Sequence, residues 1–302
     1  MERRFVDEFE PAGPIQWPDG KRAAAAFTFD LDAESAILYA SPGSEHRSGV
    51  MSHQAYGPLS GVPRLLNVLD RSGIKSTFFV PGYTAHRYPK VVRDIVAAGH
   101  EIGHHGYMHE SLQGVDREHE AIYLDRGLEA LEEVAGVRPI GYRAPMWEPT
   151  YATPELLAER GFLYDSTLMD SDHPYELAAG NGKSIVEIPI QWALDDWEQY
   201  CFLPDISGSG IIVNPTTVVD MWRLEYEALR DEGACFVLTN HPFLGGRPSR
   251  ARALEGLIKD VVSDSSVWVT SLSEIATHVR GLGLSPRTMS APVVPEEYRR
   301  GN

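Results

Sequence analysis

The chain has 302 residues, of which 43% are hydrophobic and 23% charged, a composition typical of a globular protein with a sizeable core. Its 27 basic and 43 acidic residues give a formal net charge of −16. Because an acidic surface repels phosphate groups, the sequence argues against nucleic acid and anionic membranes as partners. No apolar stretch approaches the length needed to cross a bilayer.

The basic residues near the start, Arg3 and Arg4, are not followed by the apolar run that a secretory leader requires. Cys201 and Cys235 stand apart without C-x-x-C spacing, so we expect reduced thiols, with Cys235 in the core, and a cytoplasmic protein. No domain boundary is evident. We therefore expect one domain over residues 1–302, with its core at about 23–276.

Short apolar runs typical of strands alternate along the chain with segments of helical periodicity. The predicted strands are residues 23–29, 76–80, 100–105, 139–143, 162–165, 184–192, 234–239 and 267–270. The predicted helices are residues 59–71, 87–98, 116–135, 216–230, 252–262 and 272–280. Two long connections, 33–58 and 193–214, have the length of lids, subunit contacts or binding loops.

Alternation of strands and helices predicts an α/β protein with a parallel sheet. About eight candidate strands favour a closed or nearly closed barrel over an open doubly wound sheet. No G-x-G-x-x-G follows the first strand, which removes the main indication of a dinucleotide fold. In such a barrel the active site lies at the carboxyl ends of the strands.

Asp30 and Asp32 come at the end of the first apolar strand, with Leu31 between them. Strand alternation places both carboxylates on one side and Leu31 on the other. Two carboxylates this close repel unless one binds a cation or holds a proton. The pair is consistent with a metal ligand beside a general base, and equally with a solvated turn or a helix cap.

His105 and His109 stand four residues apart, so one helical turn would bring both imidazoles together. Neutral imidazole is a common zinc ligand, and histidine pairs at this spacing recur in zinc sites. Taken alone, the pair could also be a chance feature of a polar loop. No Glu follows the first histidine, which argues against a metalloprotease of the H-E-x-x-H type.

Three further candidates follow later strands. Arg143 closes the fourth strand, and a buried guanidinium there needs an anion, for which Asp30 is a candidate. Asp165 ends the next strand and could serve in the site or cap a turn. His241, fixed by the following proline, is suited to general acid catalysis near neutral pH, or is a satisfied loop histidine.

The combination is more specific than its parts, because every candidate follows a predicted strand and would meet the others at one barrel face. Two histidines and one carboxylate leave a coordination position open for water, as catalytic zinc sites do. Trp192, Asp195 and Asp196 could line a substrate pocket, or the two aspartates could form a solvated turn.

These motifs, in this order, resemble those of the polysaccharide deacetylase family (carbohydrate esterase family four). The matching motifs are the Asp30 and Asp32 pair, the His105 and His109 pair, Arg143-Ala144-Pro145, and Leu238-Thr239-Asn240-His241-Pro242. The resemblance runs from about residue 23 to 276. It implies a distorted (β/α) barrel, usually of seven strands, and metal-dependent hydrolysis of amide-type C–N bonds.

The resemblance also implies roles for individual residues. Asp32, His105 and His109 would bind one divalent metal ion, most often zinc. Asp30 would act as the base, with Arg143 steadying it and His241 as the acid. The family's usual Asp-Trp fourth motif is not identified, and Asp165 is the available match for its Asp.

Two departures from the common pattern, Leu31 between the aspartates and Gly106 after the first metal histidine, resemble a cytoplasmic branch of the family. That branch contains a peptidoglycan deacetylase of intracellular type, cyclic imidases and allantoinase-like proteins, and its members form homo-oligomers. The substrate implied is an amino sugar or a small cyclic amide, with the 33–58 loop favouring something small. The alternative is a non-catalytic protein that binds a carbohydrate or small ligand on the same barrel.

Overall fold

The computed structural model describes residues 13–208, 210–295 and 298. In chain order, the strands are β1 (Ala23–Asp30), β2 (Thr77–Val80), β3 (Glu101–His104), β4 (Gly141–Tyr142), β5 (Tyr164–Asp165), β6 (Tyr175–Ala178), β7 (Ser184–Glu187), β8 (Phe202–Leu203), β9 (Ser207–Gly208), β10 (Cys235–Asn240) and β11 (Val267–Val269). The α-helices are α1 (Ser35–Ala40), α2 (Ser48–Tyr56), α3 (Val62–Ser72), α4 (Gly82–Arg87), α5 (Pro89–Ala97), α6 (Arg117–Ala135), α7 (Thr153–Glu159), α8 (Trp197–Tyr200), α9 (Pro215–Glu232), α10 (Pro248–Ser263) and α11 (Leu272–Gly281).

The main sheet follows the order β10-β1-β2-β3-β4-β5-β7-β6, and β11 pairs with the first residues of β1. Neighbours along this path are parallel until β7, which pairs with β6 in antiparallel fashion. The row of parallel strands from β10 to β7 curls into a half-barrel with helices on its outside. The predicted distorted (β/α) barrel is confirmed, and the antiparallel β6 is an addition.

Loop segments approach the open edge of the sheet at β10. The Cys235 N–H donates to the carbonyl oxygen of Asp172 at 3.1 Å, and the Asp196 N–H donates to that of Thr239 at 3.2 Å. Single hydrogen bonds therefore take the place of a strand ladder at this edge. They also bring the segment after β7 to the carboxyl end of β10.

Alternation along β1 separates the outer core from the barrel interior. Ala23, Ala25, Phe27 and Phe29 belong, with Leu31, to the hydrophobic cluster shared with the helices α3, α5, α9 and α10. The intervening side chains face the other way, where Ala24 and Ala26 pack in a separate cluster, and Thr28 and Asp30 follow them. As predicted, Leu31 lies opposite the two aspartates.

Several elements differ from the sequence prediction for local reasons. The predicted helix 87–98 is α5 alone, because Pro89 starts a new helix after Tyr88 leaves helical geometry. The helix α7 and the strand β6 were not predicted, since both are too short to show a clear period. The two long connections contain regular elements: 33–58 contains α1 and α2, and 193–214 contains α8 and the β8–β9 hairpin.

Within the described residues, no helix has both the length and the apolarity needed to span a bilayer. Most of the amino-terminal segment from which the absence of a leader was inferred, residues 1–12, lies outside the described residues. Cys201 and Cys235 are both buried as free thiols, and the predicted core position of Cys235 is confirmed.

The segment that leads into α3 packs directly on the loop after β10. A Cβ atom at Gly61 would lie 2.1 Å from the carbonyl oxygen of Pro242. Gly61 has a φ of −65°, so its backbone is compatible with any residue, and space alone excludes a side chain. The close approach fixes the loop that carries His241.

We expect Gly61→Ala to lower the free energy of unfolding by about 1–3 kcal/mol, because the added methyl group must displace the Pro242 backbone. Gly256→Ala is the matched control, since Gly256 lies on α10 with open space around its Cβ position and the change should raise stability by up to ~1 kcal/mol. Urea unfolding of both variants measures the difference. Equal stability changes would contradict the packing described for Gly61.

Candidate active site

The predicted site residues lie at one end of the barrel, each at or after the carboxyl end of a strand. A cavity of about 240 Å³ opens there. Its lining includes Asp30, Asp32, His105, His109, Trp147, Trp192, Asp195, Trp197 and His241. The fold thus brings together side chains that are far apart in sequence.

Asp32, His105 and His109 form a compact group of metal-ligating type. The Asp32 Oδ1 atom lies 3.5 Å from His105 Nε2, and Asp32 Oδ2 lies 3.6 Å from His109 Nε2. A tetrahedral zinc ion with bonds of about 2.0–2.1 Å separates its ligand atoms by roughly 3.3 Å. Asp32 Oδ1 is buried without a hydrogen-bond partner among the described residues. A cation at this point would satisfy it, and the donor set therefore fits a divalent metal ion.

Hydrogen bonding fixes the ligand form of His105. Its Nδ1 lies 2.7 Å from the carbonyl oxygen of Arg143, to which Nδ1–H donates, and the Nε2 lone pair is left facing Asp32. Burial lowers the pKa of His105 and of His109 to about 4 each. Both imidazoles are therefore neutral near pH 7, which is the state that binds a metal.

The turn between the two histidines is not helical, in contrast to the helical turn considered from their spacing. Gly106 has a φ of +71° and His109 a φ of +60°, both in the left-handed region. The Glu110 carboxylate accepts hydrogen bonds from the backbone N–H groups of Tyr107 at 2.9 Å and Met108 at 2.8 Å. Sequence reasoning missed Glu110; its one available signal is an acidic residue directly after the second histidine.

Arg143 is fully buried and is held by polar groups from several strand ends. Its Nη1 donates to Asp30 Oδ1 at 2.8 Å, to Thr28 Oγ1 at 3.0 Å and to Thr239 Oγ1 at 3.1 Å. Its Nε donates to the Ser166 carbonyl oxygen at 2.9 Å, and its Nη2 to the Ser166 hydroxyl at 3.1 Å. The predicted ion pair between Arg143 and Asp30 is present.

The ionic surroundings keep Asp30 charged. Burial raises the pKa of this carboxyl group, but the charge of Arg143 and smaller contributions from His105 and His241 outweigh burial, and the pKa lies below its ordinary value. Asp30 Oδ2 has no hydrogen-bond partner among the described residues and lies 4.0 Å from His105 Nε2. One oxygen is therefore anchored and the other is free to accept a proton.

His241 is held by a carboxylate pair on its far side. Its Nδ1 lies 2.9 Å from Asp196 Oδ1 and 3.3 Å from Asp195 Oδ1, and its Nε2 lies 3.6 Å from Asp32 Oδ2. Burial lowers the pKa of His241, but the two aspartates raise it by more, and the pKa lies well above its ordinary value. The imidazole is therefore in the protonated form that can donate a proton.

An Asp-Trp pair does occur near the site, as Asp196-Trp197, although sequence reasoning did not identify one. The Trp197 ring lies 5.1 Å from the His241 ring. Asp195 and Asp196 also form a second buried group with His241 that could in principle hold a metal. Because His241 Nδ1 already faces a carboxylate at hydrogen-bond distance, the group with Asp32 is the better metal site.

Asp165 has different partners from the other predicted catalytic residues. Its Oδ1 accepts from the Thr167 hydroxyl at 2.5 Å, and it stands opposite Glu187 in the pairing of β5 with β7. Burial raises its pKa to about 7. Asp165 is not part of the cavity lining. The contact with Arg143 comes from its neighbour Ser166.

Aromatic side chains form the wall above the polar groups. Trp147 and Trp192 stack with ring centroids 4.5 Å apart, and Trp192 is 47% exposed. Met146 and Trp147 have φ values of +59° and +54°, an uncommon and strained conformation for residues with side chains. Such strain at a cavity is typical of functional sites and here turns both side chains into the lining.

Comparisons with known proteins agree with this geometry. The polysaccharide deacetylase domain family matches residues 55–164. The peptidoglycan deacetylase of Helicobacter pylori is 31% identical over 282 residues, which cover 85% of this chain and 96% of that protein. This relative matches along almost its whole length.

Solved structures of polysaccharide deacetylase and allantoinase type are also similar to this chain. A candidate polysaccharide deacetylase from Mycobacterium smegmatis is 61% identical, with a TM-score of 0.94 over 95% of this chain and 100% of its own. The PuuE allantoinase is 26% identical, with a TM-score of 0.79 over 93% of this chain and 98% of its own. With the site geometry, these likenesses establish that the chain belongs to the polysaccharide deacetylase family.

Proposed function

We propose that this protein is a metal-dependent hydrolase of amide-type C–N bonds that acts on an N-acetylated amino sugar or opens a small cyclic amide. The observation that carries the proposal is the juxtaposition of three functions in one cavity. Asp32, His105 and His109 form a metal-ligand set, Asp30 is a charged carboxylate and His241 a protonated imidazole.

The ligand set favours zinc among divalent ions, because two imidazoles and one carboxylate are a common catalytic zinc set. Bound there, the ion would supply Lewis acidity, lowering the pKa of a coordinated water and polarising the amide carbonyl. The chain's own part is to hold the ligands rigid. The carbonyl of Arg143 orients His105, and the Glu110 carboxylate fixes the turn that carries His109.

Asp30 is placed to act as general base. Arg143 holds Oδ1, and Oδ2 faces His105, the side where the attacking water must lie. Because Arg143 keeps the carboxylate ionised, Asp30 is ready to accept the proton of that water. Its burial excludes bulk water, which would otherwise compete for the same oxygen.

His241 is placed to act as general acid. Its Nε2 faces Asp32 across the cavity, while Nδ1 is occupied by Asp196. The proton on Nε2 is therefore available to the leaving nitrogen as the C–N bond breaks. After this transfer the imidazole is neutral, and Asp195 and Asp196 favour its reprotonation.

The walls are consistent with both substrate types. The inner cavity of about 240 Å³ has tryptophan walls and suits a small ring. It continues past His109 and Met146 into a groove of about 860 Å³ that Tyr39 and Tyr151 also line. Two similar proteins, one a sequence relative and one a solved structure, are named for different substrates, peptidoglycan and allantoin, so an assay must decide.

We test the proposal with the full chain loaded with zinc, assayed on N-acetylglucosamine oligomers, a cyclic imide and allantoin. We expect turnover of one class, with activity lost on chelation and restored by added zinc. Loss of the metal without any loss of turnover would contradict metal dependence. A metal-loaded protein that turns over none of the three, yet is stabilised by one of them, would favour the non-catalytic alternative.

We also propose a cytoplasmic homo-oligomer, as the resemblance to the cytoplasmic branch implies. Sedimentation velocity at several concentrations measures the oligomeric state of the full chain. A monomer at all concentrations would contradict this part of the proposal without affecting the chemistry.

The variants Asp30→Asn and Asp32→Asn should distinguish the proposed general base from the proposed metal ligand. We expect Asp32→Asn to lose bound zinc, and Asp30→Asn to keep it while kcat falls on the order of 10²–10⁴-fold. In metal-free protein, Asp30→Asn should lower the free energy of unfolding by up to about 3–5 kcal/mol, because Arg143 loses its charged partner. Asp32→Asn should not, because burial raises the pKa of Asp32 and its Oδ1 has no hydrogen-bond partner among the described residues.

Elemental analysis, steady-state kinetics and urea unfolding measure these three quantities. Asp70→Asn, at an exposed position on α3, is the control and should match the wild-type protein in all of them. A full zinc content in Asp32→Asn would show that the assigned ligand set is wrong.

Removal of the partner of His241 should change the pH profile. Without the Asp196 carboxylate the pKa of His241 falls, so the proton-donating form is lost at lower pH. We expect the alkaline limb of kcat for Asp196→Asn to move by about one pH unit or more toward acid. Asp220→Asn, at an exposed position, is the control. If the alkaline limb does not move in Asp196→Asn, or moves equally in the control, His241 does not determine the alkaline limb.

A further inference from the structure

A second cavity, which we call the arginine pocket, lies behind the β8–β9 hairpin. Its volume is about 530 Å³. Its lining includes three arginines, Arg47, Arg247 and Arg250, together with His53, Tyr200, Phe202 and Leu203. None of these residues lines the active-site cavity, although the same hairpin contributes Ser207 to that cavity.

The three arginines of this pocket make no ion pair with a carboxylate within the described part of the chain. Arg47 Nη2 donates to the Pro204 carbonyl oxygen at 3.3 Å, and Arg250 Nη1 to that of Leu244 at 3.2 Å. The Arg247 guanidinium stacks on a tyrosine ring. Each guanidinium has several N–H donors, so most of them remain available to a ligand.

The chain has 43 acidic and 27 basic residues, so acidic side chains outnumber basic ones. Elsewhere on the surface, Arg71 pairs with Glu255 at 2.9 Å and Arg223 with Asp260 at 2.8 Å. Arginines outside the pocket do not all pair in this way, since Arg64 donates to the Tyr56 hydroxyl and Arg126 stacks on the Tyr107 ring. The arginine pocket differs in that three guanidinium groups without a carboxylate partner line one cavity. The difference indicates that the pocket is built to receive an anion from outside.

The positive charge extends into the pocket. Burial lowers the pKa of His53, and the charges of Arg247 and Arg250 lower it further. Arg247 and Arg250 also flank the start of α10, where the helix dipole adds partial positive charge. Any ligand here meets a cationic floor that its own negative charge must offset.

The rest of the lining is apolar. Tyr200 and Leu203 are buried, and Phe202 and Ile212 are 45% and 56% exposed at the rim. A bare inorganic anion would leave these side chains in water, whereas an anion with an apolar body would cover them. The volume lies within the range of about 300–1,000 Å³ typical of small-molecule sites.

We propose that the arginine pocket binds a small organic anion, in which a carboxylate or phosphate group joins an apolar or aromatic body. The charged group lies among Arg47, Arg247 and Arg250, since guanidinium groups match both anions through paired hydrogen bonds. The apolar body lies against Tyr200, Leu203 and Phe202. This inference does not depend on the metal centre.

A chain of aromatic contacts connects the arginine pocket to the active site. The His53 ring contacts Phe243 at a centroid distance of 5.2 Å, and Phe243 contacts Trp197 at 5.7 Å. Trp197 in turn packs 5.1 Å from His241. An occupied pocket would therefore restrain the aromatic residues behind the proton donor.

The test is calorimetric titration of the full metal-free chain with benzoate, phenyl phosphate and inorganic phosphate. We expect one site for at least one aromatic anion, with inorganic phosphate weaker because it has no apolar body. The relative affinity of benzoate and phenyl phosphate identifies the preferred group. Metal-free protein is used so that an anion bound at zinc does not contribute.

Arg250→Met and Arg47→Met should each weaken that binding on the order of tenfold or more, because each removes charged hydrogen bonds. Arg252→Met, an exposed change on the same helix but outside the pocket, should leave binding unchanged. Arg47 precedes α2 and Arg250 lies on α10, so failure of one variant to fold leaves the other informative.

Two outcomes would overturn the proposal. One is no binding of any probe, or equal binding by the wild-type chain and both arginine variants. The other is that the variants change the sedimentation coefficient while no probe binds, which would show that an acidic surface of a second copy covers the pocket.

Discussion

The buried guanidinium of Arg143 is the constraint on which the site depends. A charge without solvent contact must be fully paired, because its desolvation costs several kcal/mol. Its partners come from β1, from the end of β10 and from the segment after β5, so satisfying Arg143 fixes the strand ends relative to one another. Its own carbonyl group orients His105, which links this ion pair to the proposed metal ligands.

The same pairing sets the chemical states of the site. Arg143 keeps Asp30 ionised, as the proposed base must be, whereas Asp32 has no arginine partner and burial raises its pKa. On the opposite wall, Asp195 and Asp196 keep His241 protonated. The proposed base, ligand and acid thus differ in protonation because of their neighbours, although all three lie at the same end of the barrel.

The grouping of the site residues was largely predictable from sequence, because parallel strands have their carboxyl ends at one edge of the sheet. Alternation along β1 correctly set Leu31 opposite Asp30 and Asp32, and the need for an anion correctly linked Arg143 to Asp30. The spacing of residues in the sequence could not predict the backbone conformation of turns between regular elements. The turn that carries His109 uses left-handed residues and the Glu110 carboxylate, and neither has a periodic signal.

Longer-range contacts were also beyond the reach of local patterns. Asp196 reaches His241 because the segment after β7 crosses to the open edge of β10, which depends on how the barrel closes. The arginine pocket likewise joins α2, the β8–β9 hairpin and the start of α10, three segments without a shared motif.

The most direct test of the metal assignment is an anomalous difference map, recorded at the zinc absorption edge, from a crystal of the zinc-loaded chain. The account predicts one strong peak that contacts Asp32, His105 and His109. A peak among Asp195, Asp196 and His241 instead, or no ordered zinc at this end of the barrel, would contradict it.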